Sequence, residues 1–159
     1  MERLWAPWRM EYILQPKPGD CFICEAVSRP ERDAENLVLV RNDSAIVMMN
    51  RFPYNNGHLL VAPCQHGISY EELPEEAALQ IHRLSGMMIG ILKQVMNPDA
   101  FNLGYNLGKT AGAGLLDHLH LHVVPRWNGD TNFMPVLDQT RVISEALAST
   151  YYKIKQAIP

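Results

Sequence analysis

DHLHLHVVP, residues 117–125, is the stretch that decides how this chain is interpreted. Histidine and apolar residues alternate strictly in it, with His118, His120 and His122 at the even positions. Because a β-strand turns successive side chains to opposite faces, the three imidazoles should share one face, roughly 7 Å from one to the next. The apolar residues between them should face a hydrophobic core.

Three histidines on one face of an apolar strand indicate a functional site. A single histidine is usually a surface residue or a core residue with a hydrogen-bond partner, but each buried ring costs desolvation free energy unless it finds one. Two kinds of chemistry remain, a metal centre or nucleophilic and acid–base chemistry on an anion. A metal-dependent hydrolase with three histidine ligands is less favoured, since no carboxylate motif accompanies the histidines.

The composition favours one domain spanning residues 1–159. Hydrophobic residues make up 47% of the chain, which is enough for an ordinary core. The net charge of −3 argues against a nucleic-acid surface. No apolar run is long enough to span a membrane, and no signal peptide is visible. Three cysteines do not make a disulfide framework, so we expect a reducing, cytoplasmic setting.

The pattern of apolar residues predicts an α+β fold with an antiparallel sheet, because consecutive strands surround one long helix. That helix should cover residues 74–96, with Glu75 and Glu76 favouring its N-terminus. A short helix should cover residues 21–27 and a final helix about 140–156. Residues 1–20 should form an arm packed on the domain or on a partner, and 126–159 a C-terminal extension. Five strands are expected, at residues 37–41, 45–49, 58–62 and 101–107 and in the histidine run at 117–125.

A glycine-rich loop at residues 108–114 directly precedes the histidine strand. Its backbone amides can approach a polyphosphate closely, because glycine has no side chain to obstruct it. The triplet Gly108-Lys109-Thr110 is not a P-loop, since Leu103 stands where the first glycine should be. Imidazole is a competent nucleophile near neutral pH, so a middle histidine can attack phosphorus while a flanking ring donates to an oxygen.

The alternating histidines resemble the signature of the histidine triad family of nucleotide hydrolases and transferases. The resemblance extends to residues 45–63, where Asn50 and Gly57-His58 precede a strand that ends at proline, and to Asn106 and Gly108. Residues 5–9 (WAPWR) and 126–133 (RWNGDTNF) resemble one branch, the bacterial diadenosine polyphosphate phosphorylases and hydrolases. The implied fold is the family's sheet of about five antiparallel strands with one long helix and a C-terminal helix.

The resemblance implies cleavage of dinucleoside polyphosphates, such as diadenosine tetraphosphate, at the α-phosphate. His120 would be the nucleophile that forms a nucleotidyl-histidine intermediate, His122 would contact the α-phosphate and the bridging oxygen, and His118 would orient the nucleophile. Phosphorolysis is favoured. The alternatives are a hydrolase of dinucleoside polyphosphates or nucleoside phosphoramidates, or a non-catalytic nucleotide-binding protein.

The resemblance also implies a set of substrate-binding residues. Asn50 would bind the ribose hydroxyls and Asn106 a phosphate. Many family members carry Gln, Ser or Thr three or four residues before the first histidine of the triad, but this chain has Gly114 and Leu115 there. Lys109, Thr110 or a backbone amide would have to replace that group, with Arg126 and Asn132 as further candidates for binding the phosphate acceptor. The predicted substrate-binding set is Asn50, His58, Asn106, Gly108, Lys109, Thr110 and Gly114.

Cys21 and Cys24 are spaced as two thiolate ligands of one zinc ion, but such a pair needs two further ligands. Taken alone, the pair is more often structural packing or a redox-sensitive pair. The resemblance implies a structural zinc held by Cys21, Cys24, His66 and His118. His118 would then be a ligand and take no part in proton transfer. No organic cofactor is expected.

The expected partners are a nucleotide or dinucleoside polyphosphate substrate, inorganic phosphate as the acceptor, and a second copy of the chain. Neither nucleic acid nor a membrane is expected. Helix 74–96 carries Met87, Ile89 and Leu92 beyond one apolar stripe, and self-association would cover so wide a face. The family resemblance also points to a homodimer or higher homo-oligomer.

Overall fold

A five-stranded antiparallel sheet organises the computed structural model, which describes residues 21–130 and 143–159. The predicted arm at residues 1–20, Asn132 and the predicted start of the last helix lie outside the described residues. The strands are β1 (Val38–Arg41), β2 (Ala45–Met49), β3 (Leu59–Pro63), β4 (Ala100–Tyr105) and β5 (Leu121–Arg126). The helices are α1 (Phe22–Ser28), α2 (Glu75–Met96) and α3 (Leu147–Ala157).

The order of the strands, β1-β2-β3-β5-β4, confirms the predicted α+β fold. β1, β2 and β3 follow one another along the chain, α2 then crosses over, and β4 and β5 return as a second antiparallel pair. β5 therefore lies beside β3, with Leu60 opposite His122, while β4 forms the outer edge. None of the helices in residues 21–130 and 143–159 is long and apolar enough to cross a membrane.

Both faces of the sheet are covered. The side chains of one face pack with α2 and α3 in the larger core, which includes Val47, Val61 and Val123. Ile23 and Ala26 of α1 pack on the other face, where the alternating positions of β2 and β3 form a smaller core. His122 belongs to this second face through its pairing with Leu60.

The histidine strand is shorter than predicted, because it begins at Leu121 and contains only His122 of the three histidines. His118 and His120 precede the strand, since the ladders with β3 and β4 both start at Leu121. The prediction of imidazoles about 7 Å apart was also wrong for the last two rings, whose centroids lie 4.9 Å apart. All three histidines are nevertheless buried.

The width of the apolar face of α2 has a different explanation from the one the sequence suggested. Leu92 is fully buried within its own chain, and Met87 and Ile89 pack partly against the same core. This happens because α2 contacts both the sheet and α3, so that two of its sides are covered. His82, on the same helix, is exposed. Within the described residues, the final helix begins at Leu147 with Ala146 as its N-cap.

Candidate functional site

A hydrogen-bonded pair of buried histidines forms the centre of the site. His58 Nδ1 accepts the backbone N–H of Tyr54 at 3.0 Å, so in the neutral ring the hydrogen is on Nε2. That N–H donates to His122 Nδ1 at 2.9 Å. His122 Nδ1 is therefore an acceptor, and the hydrogen of the neutral His122 ring lies on Nε2. The pair thus presents an N–H group on the far side of His122.

His120 has the opposite arrangement of its ring nitrogens. Its Nδ1 lies 2.8 Å from the carbonyl oxygen of His118, which can only accept, so Nδ1 carries the hydrogen and Nε2 keeps its lone pair. The rings of His120 and His122 meet edge to face with their centroids 4.9 Å apart. The site therefore combines a nitrogen lone pair with a neighbouring N–H donor.

Burial favours the uncharged form of two rings of the triad, His122 and His118. Desolvation, followed by the charge of neighbouring His120, lowers the pKa of His122 to about 4. Desolvation also lowers the pKa of His118, while its hydrogen bond to Pro63 opposes the change. His122 is consequently neutral at neutral pH and acts as a donor without carrying a charge.

The loop between β2 and β3 positions this group. Gly57 has φ +73°, and a Cβ on it would lie 2.8 Å from the sulfur of Met96, so glycine is required immediately before His58. Asn50 Oδ1 accepts the backbone N–H of Phe52 at 2.9 Å, and Asn50 Nδ2 lies 3.3 Å from His58 Nδ1. These contacts hold the Asn50 side chain beside the pair formed by His58 and His122.

Tyr54 is the main residue that sequence reasoning missed. Its ring stacks on His122 at 5.5 Å between centroids and lies 4.7 Å from His58. Its hydroxyl accepts from Asn106 Nδ2 at 3.5 Å, and the same Asn106 nitrogen lies 3.4 Å from His122 Nε2. An aromatic residue in a short polar loop beside a predicted site residue was the available signal.

Of the glycine-rich loop predicted to bind phosphate, residues 108–114, only Gly108 lines the cleft beside the histidine triad. A cleft of about 190 Å³ lies beside His118 and His120 and includes Asn106 and Gly108. Lys109, Thr110 and Gly114 are exposed on the loop and are not among the lining residues. The other lining residues are Ile68, Ser69, Tyr70, Glu71, Leu107, Leu115, Leu116 and Leu119.

Arg126 does not fit the suggestion that it binds the acceptor phosphate. Its guanidinium contacts Asp130 through Nε at 2.6 Å and Nη2 at 2.9 Å. Nη1 donates to Asn102 Oδ1 at 2.8 Å. The charge of Arg126 is therefore used to hold the turn after β5, because the paired carboxylate competes with any incoming anion.

The predicted metal ligands come together. One ligand atom from each of Cys21, Cys24, His66 and His118 lies within 4.8 Å of all the others. Cys21 Sγ and His118 Nδ1 are 3.2 Å apart, and the two Nδ1 atoms of His66 and His118 are 3.4 Å apart. Zinc bonds of about 2.3 Å to sulfur and 2.0–2.1 Å to nitrogen imply ligand separations of roughly 3.4–3.8 Å, close to these values.

His118 is oriented for ligation by its other nitrogen. Nε2 donates to the carbonyl oxygen of Pro63 at 2.7 Å, which leaves the Nδ1 lone pair facing the two cysteines. Burial, followed by the hydrogen bond and charge of Cys21, raises the pKa of the Cys24 thiol to about 11. A bound divalent cation would reverse this effect, because a metal binds the thiolate.

Arg41 anchors the helix that carries the cysteines. Its guanidinium donates to the carbonyl oxygens of Ala26 at 2.9 Å and Val27 at 3.1 Å, near the end of α1, and is also paired with Asp33. Cys21 Sγ accepts from the backbone N–H of Cys24 at 3.4 Å and so caps the start of α1. β1 thereby fixes the position of the cysteine pair.

Comparison with known proteins places the chain among related sequences. A family model of the HIT domain matches residues 31–129. The AP-4-A phosphorylase of Mycobacterium tuberculosis (strain CDC 1551 / Oshkosh) is 36% identical over 157 residues, which cover 94% of this chain and 80% of that protein.

Solved structures support the fold. A hypothetical histidine triad nucleotide-binding protein from Sulfolobus tokodaii has a TM-score of 0.68 at 23% identity, covering 86% of this chain and 91% of that one. A Zn-bound histidine triad family protein from Mycobacterium smegmatis has a TM-score of 0.67 at 22% identity, covering 87% and 92%. At this identity the two structures bear on the fold alone.

The neutral state of His122 predicts a pH-dependent stability. Between its folded pKa of about 4 and its ordinary value of 6.5, the unfolded chain binds a proton that the folded chain does not. We expect this contribution to be complete above about pH 6.5 and to be lost toward pH 4, at no more than about 1.4 kcal/mol per pH unit. Urea unfolding at a series of pH values measures it.

The matched variants are His122→Gln and His82→Gln, since His82 is exposed on α2. His122→Gln should reduce the loss of stability with falling pH, whereas His82→Gln should follow the wild type. Equal slopes for the wild type and His122→Gln would contradict a buried, neutral His122.

Proposed function

Since this chain belongs to the histidine triad family, we propose that it is an enzyme that cleaves dinucleoside polyphosphates, such as diadenosine tetraphosphate, at the α-phosphate. The observation that carries the proposal is the pairing of opposite tautomers, a lone pair on His120 Nε2 beside an N–H on His122 Nε2. The two rings have their centroids 4.9 Å apart. A nucleophile with a donor beside it in this way suits attack on phosphorus, because the donor can stabilise the phosphate oxygens.

In the first half-reaction, His120 Nε2 attacks the α-phosphorus. A P–N bond forms, the bond from phosphorus to the bridging oxygen breaks, and ATP leaves from diadenosine tetraphosphate. The Nδ1 hydrogen of His120 stays on the ring, and its hydrogen bond to the His118 carbonyl stabilises the positive charge that the ring acquires. His122 Nε2–H donates to the bridging oxygen or to an α-phosphate oxygen.

In the second half-reaction, an acceptor oxygen attacks the same phosphorus and the P–N bond to His120 breaks. Inorganic phosphate as the acceptor gives ADP, and water gives AMP. We favour phosphate, and the similarity to the AP-4-A phosphorylase of M. tuberculosis supports that choice. Hydrolysis of the same substrates is the second candidate, because the first half-reaction does not distinguish the two acceptors.

The roles of the surrounding residues belong to the proposal. Asn50 would bind ribose hydroxyls and Asn106 a phosphate, while His58 holds His122. The backbone of Gly108, which lines the cleft, would approach the polyphosphate, and Lys109, Thr110 and Gly114 would complete the loop that contacts it. Because the acceptor phosphate carries more charge than water, the exposed Lys109 is suited to attract it.

A structural zinc at Cys21, Cys24, His66 and His118 is also proposed. The ligand separations and the set of two sulfurs and two nitrogens support it. Four protein ligands close the coordination sphere, so the metal would supply stability rather than a Lewis-acid position. Thiolate ligands require reduced cysteines, which agrees with the proposed cytoplasmic setting.

We propose a homodimer formed along β4. β4 is an outer strand of the sheet, and Leu103 on it is 47% exposed. An apolar groove of about 400 Å³ between α2 and β4 adjoins it. Pairing of two such edges would join the two sheets and cover the groove. Sedimentation of purified protein at the single-chain mass of 18.0 kDa would contradict this arrangement.

The products identify the reaction. With inorganic phosphate present, diadenosine tetraphosphate should give ATP and ADP, and little AMP should form without phosphate. His120→Asn should lower turnover by about a thousandfold or more, because the amide lacks the attacking lone pair, whereas His82→Asn should leave turnover unchanged. Separation of the nucleotides by chromatography measures both effects. An active His120→Asn variant would exclude His120 as the nucleophile, and equal rates of AMP formation with and without phosphate would establish a hydrolase.

Removal of zinc tests the metal proposal. Cys24→Ser should lose the metal and lower the midpoint temperature of unfolding, whereas Cys64→Ser, outside the ligand group, should retain both. Chelation should lower the midpoint temperature of unfolding. It should change the rate of the first half-reaction little, because a closed site offers no open coordination position to a substrate. Elemental analysis and thermal unfolding are the measurements. Absence of zinc from the purified wild-type protein would refute the site.

A further inference from the structure

The loop that fixes the hydrogen on His58 is joined to the turn that follows β5. In this loop, between β2 and β3, the backbone N–H of Tyr54 donates to His58 Nδ1 at 3.0 Å, and the backbone N–H of His58 donates to the carbonyl oxygen of Asn55 at 3.2 Å. Asn55 therefore lies inside the short backbone unit that orients the His58 ring. Its side chain reaches out of this unit to Pro125 and Asp130, which lie 70 and 75 positions further along the chain.

The Asn55 amide has partners at both its nitrogen and its oxygen. Nδ2 donates to Asp130 Oδ2 at 2.8 Å and to the carbonyl oxygen of Pro125 at 3.1 Å, and Oδ1 accepts the backbone N–H of Asn56 at 3.0 Å. These contacts account for both amide hydrogens, so the side chain cannot rotate without losing a hydrogen bond. Asn55 thus ties the loop between β2 and β3 to the end of β5 in one orientation.

Asp130 accepts this hydrogen bond together with several others. Its carboxylate also accepts from Arg126 Nε at 2.6 Å and Nη2 at 2.9 Å, and from the backbone N–H of Trp127 at 3.2 Å. A carboxylate suits this position because it only accepts, whereas the amide of an asparagine would turn its NH2 group toward at least one of these donors. The Asp130 side chain is 9% exposed, so its charge-assisted hydrogen bonds are largely shielded from water.

A displacement of this loop would change where the hydrogens of the site lie. His58 Nε2 donates to His122 Nδ1 because the backbone N–H of Tyr54 occupies His58 Nδ1 and keeps the hydrogen on Nε2. Without the anchor at Asn55 the loop would shift, and the His58 ring would exchange between its two tautomers. In the other tautomer His58 Nε2 carries no hydrogen, so His122 would no longer be held with its own hydrogen on Nε2. A displacement of about 1 Å far from the reacting atoms can slow a reaction about a hundredfold.

We propose that Asp130 is a positioning residue, which acts through Asn55 to hold the loop that sets the hydrogens of His58 and His122. Its expected effect on turnover rests on the proposed function, whereas its effect on the two rings does not. Asp130 takes no part in bond making; it keeps the N–H donor of His122 in place before the substrate arrives. Its loss should lower kcat more than it raises KM, because a misplaced donor costs most when charge develops on the phosphate.

Asp130→Asn keeps the size of the side chain and removes the carboxylate, and Asn55→Ala removes the amide that the carboxylate holds. The matched control is Asp99→Asn, because Asp99 Oδ2 accepts the backbone N–H of Asn128 at 2.7 Å and so holds the same turn from the segment between α2 and β4. For cleavage of diadenosine tetraphosphate, kcat should fall by about tenfold or more in both test variants, with KM changed less than about threefold, and the control should match the wild type. The double variant should be no slower than the slower single variant, because the two residues act through one hydrogen bond. Thermal unfolding of each variant shows whether the fold is retained.

Nitrogen NMR of the imidazole rings measures the effect without any turnover. A ring held in one tautomer gives separate signals for its protonated and unprotonated nitrogens, whereas exchange between tautomers averages the two signals. The wild type and Asp99→Asn should show His122 with its hydrogen on Nε2. In Asp130→Asn and Asn55→Ala the two nitrogen signals of His122 should move toward each other. If Asp130→Asn does not fold, Asn55→Ala alone decides the outcome.

The two measurements separate this inference from the proposed function. If the wild type cleaves no dinucleoside polyphosphate, the proposed function fails and the NMR spectra still decide the role of Asp130. If the wild type is active and both test variants give the spectra of Asp99→Asn, the inference is overturned and the proposed function stands.

Discussion

The hydrogen bond from His58 Nε2 to His122 Nδ1 is the interaction on which the site depends. A neutral imidazole has one donor and one acceptor, so fixing one nitrogen determines the other. The backbone N–H of Tyr54 fixes His58, His58 fixes His122, and the His118 carbonyl fixes His120. The fold therefore sets the position of every hydrogen on these rings, and the difference between His120 and His122 follows from backbone geometry rather than from residue type.

His118 connects this arrangement to the cysteine group. Its carbonyl oxygen accepts from Nδ1 of His120, the proposed nucleophile, its Nε2 donates to the carbonyl of Pro63 at the end of β3, and its Nδ1 faces Cys21 and Cys24. A metal bound there would restrain His118, the residue whose carbonyl oxygen orients the His120 ring. The effect on chemistry would be indirect, since it would act through the position of one carbonyl, and the direct effect would be on stability.

Local sequence patterns were sufficient for most of the fold. Alternation and helical spacing predicted β2 with its observed bounds and α2 to within one residue, because both segments bury a regular face. The start of β5 could not be predicted in this way, since it depends on where the ladders with β3 and β4 begin. The covered width of α2 likewise depends on α3, which lies far along the chain.

The site was predictable to a smaller extent. The histidines that share a short stretch of sequence were found from their spacing, whereas the approach of His66 to Cys24, at 3.3 Å between Nδ1 and Sγ, followed only from the family resemblance. Tyr54 was missed because its contacts with His58 and His122 arise from tertiary placement. Its position in a short polar loop beside Asn50 was the only local signal, and a tyrosine is not by itself diagnostic of phosphate chemistry.

The neutrality of the site has a chemical reason. In the proposed reaction, attack by His120 would leave a positive charge on its ring, and a cation placed beside it would raise the energy of that intermediate. Neutral donors can hold the phosphate oxygens without this repulsion. His122 meets the requirement because its pKa of about 4 keeps it uncharged, and Arg126 of the same strand is held by Asp130. Because burial keeps His122 neutral, His122 would not repel the positive charge that the proposed attack would create on His120.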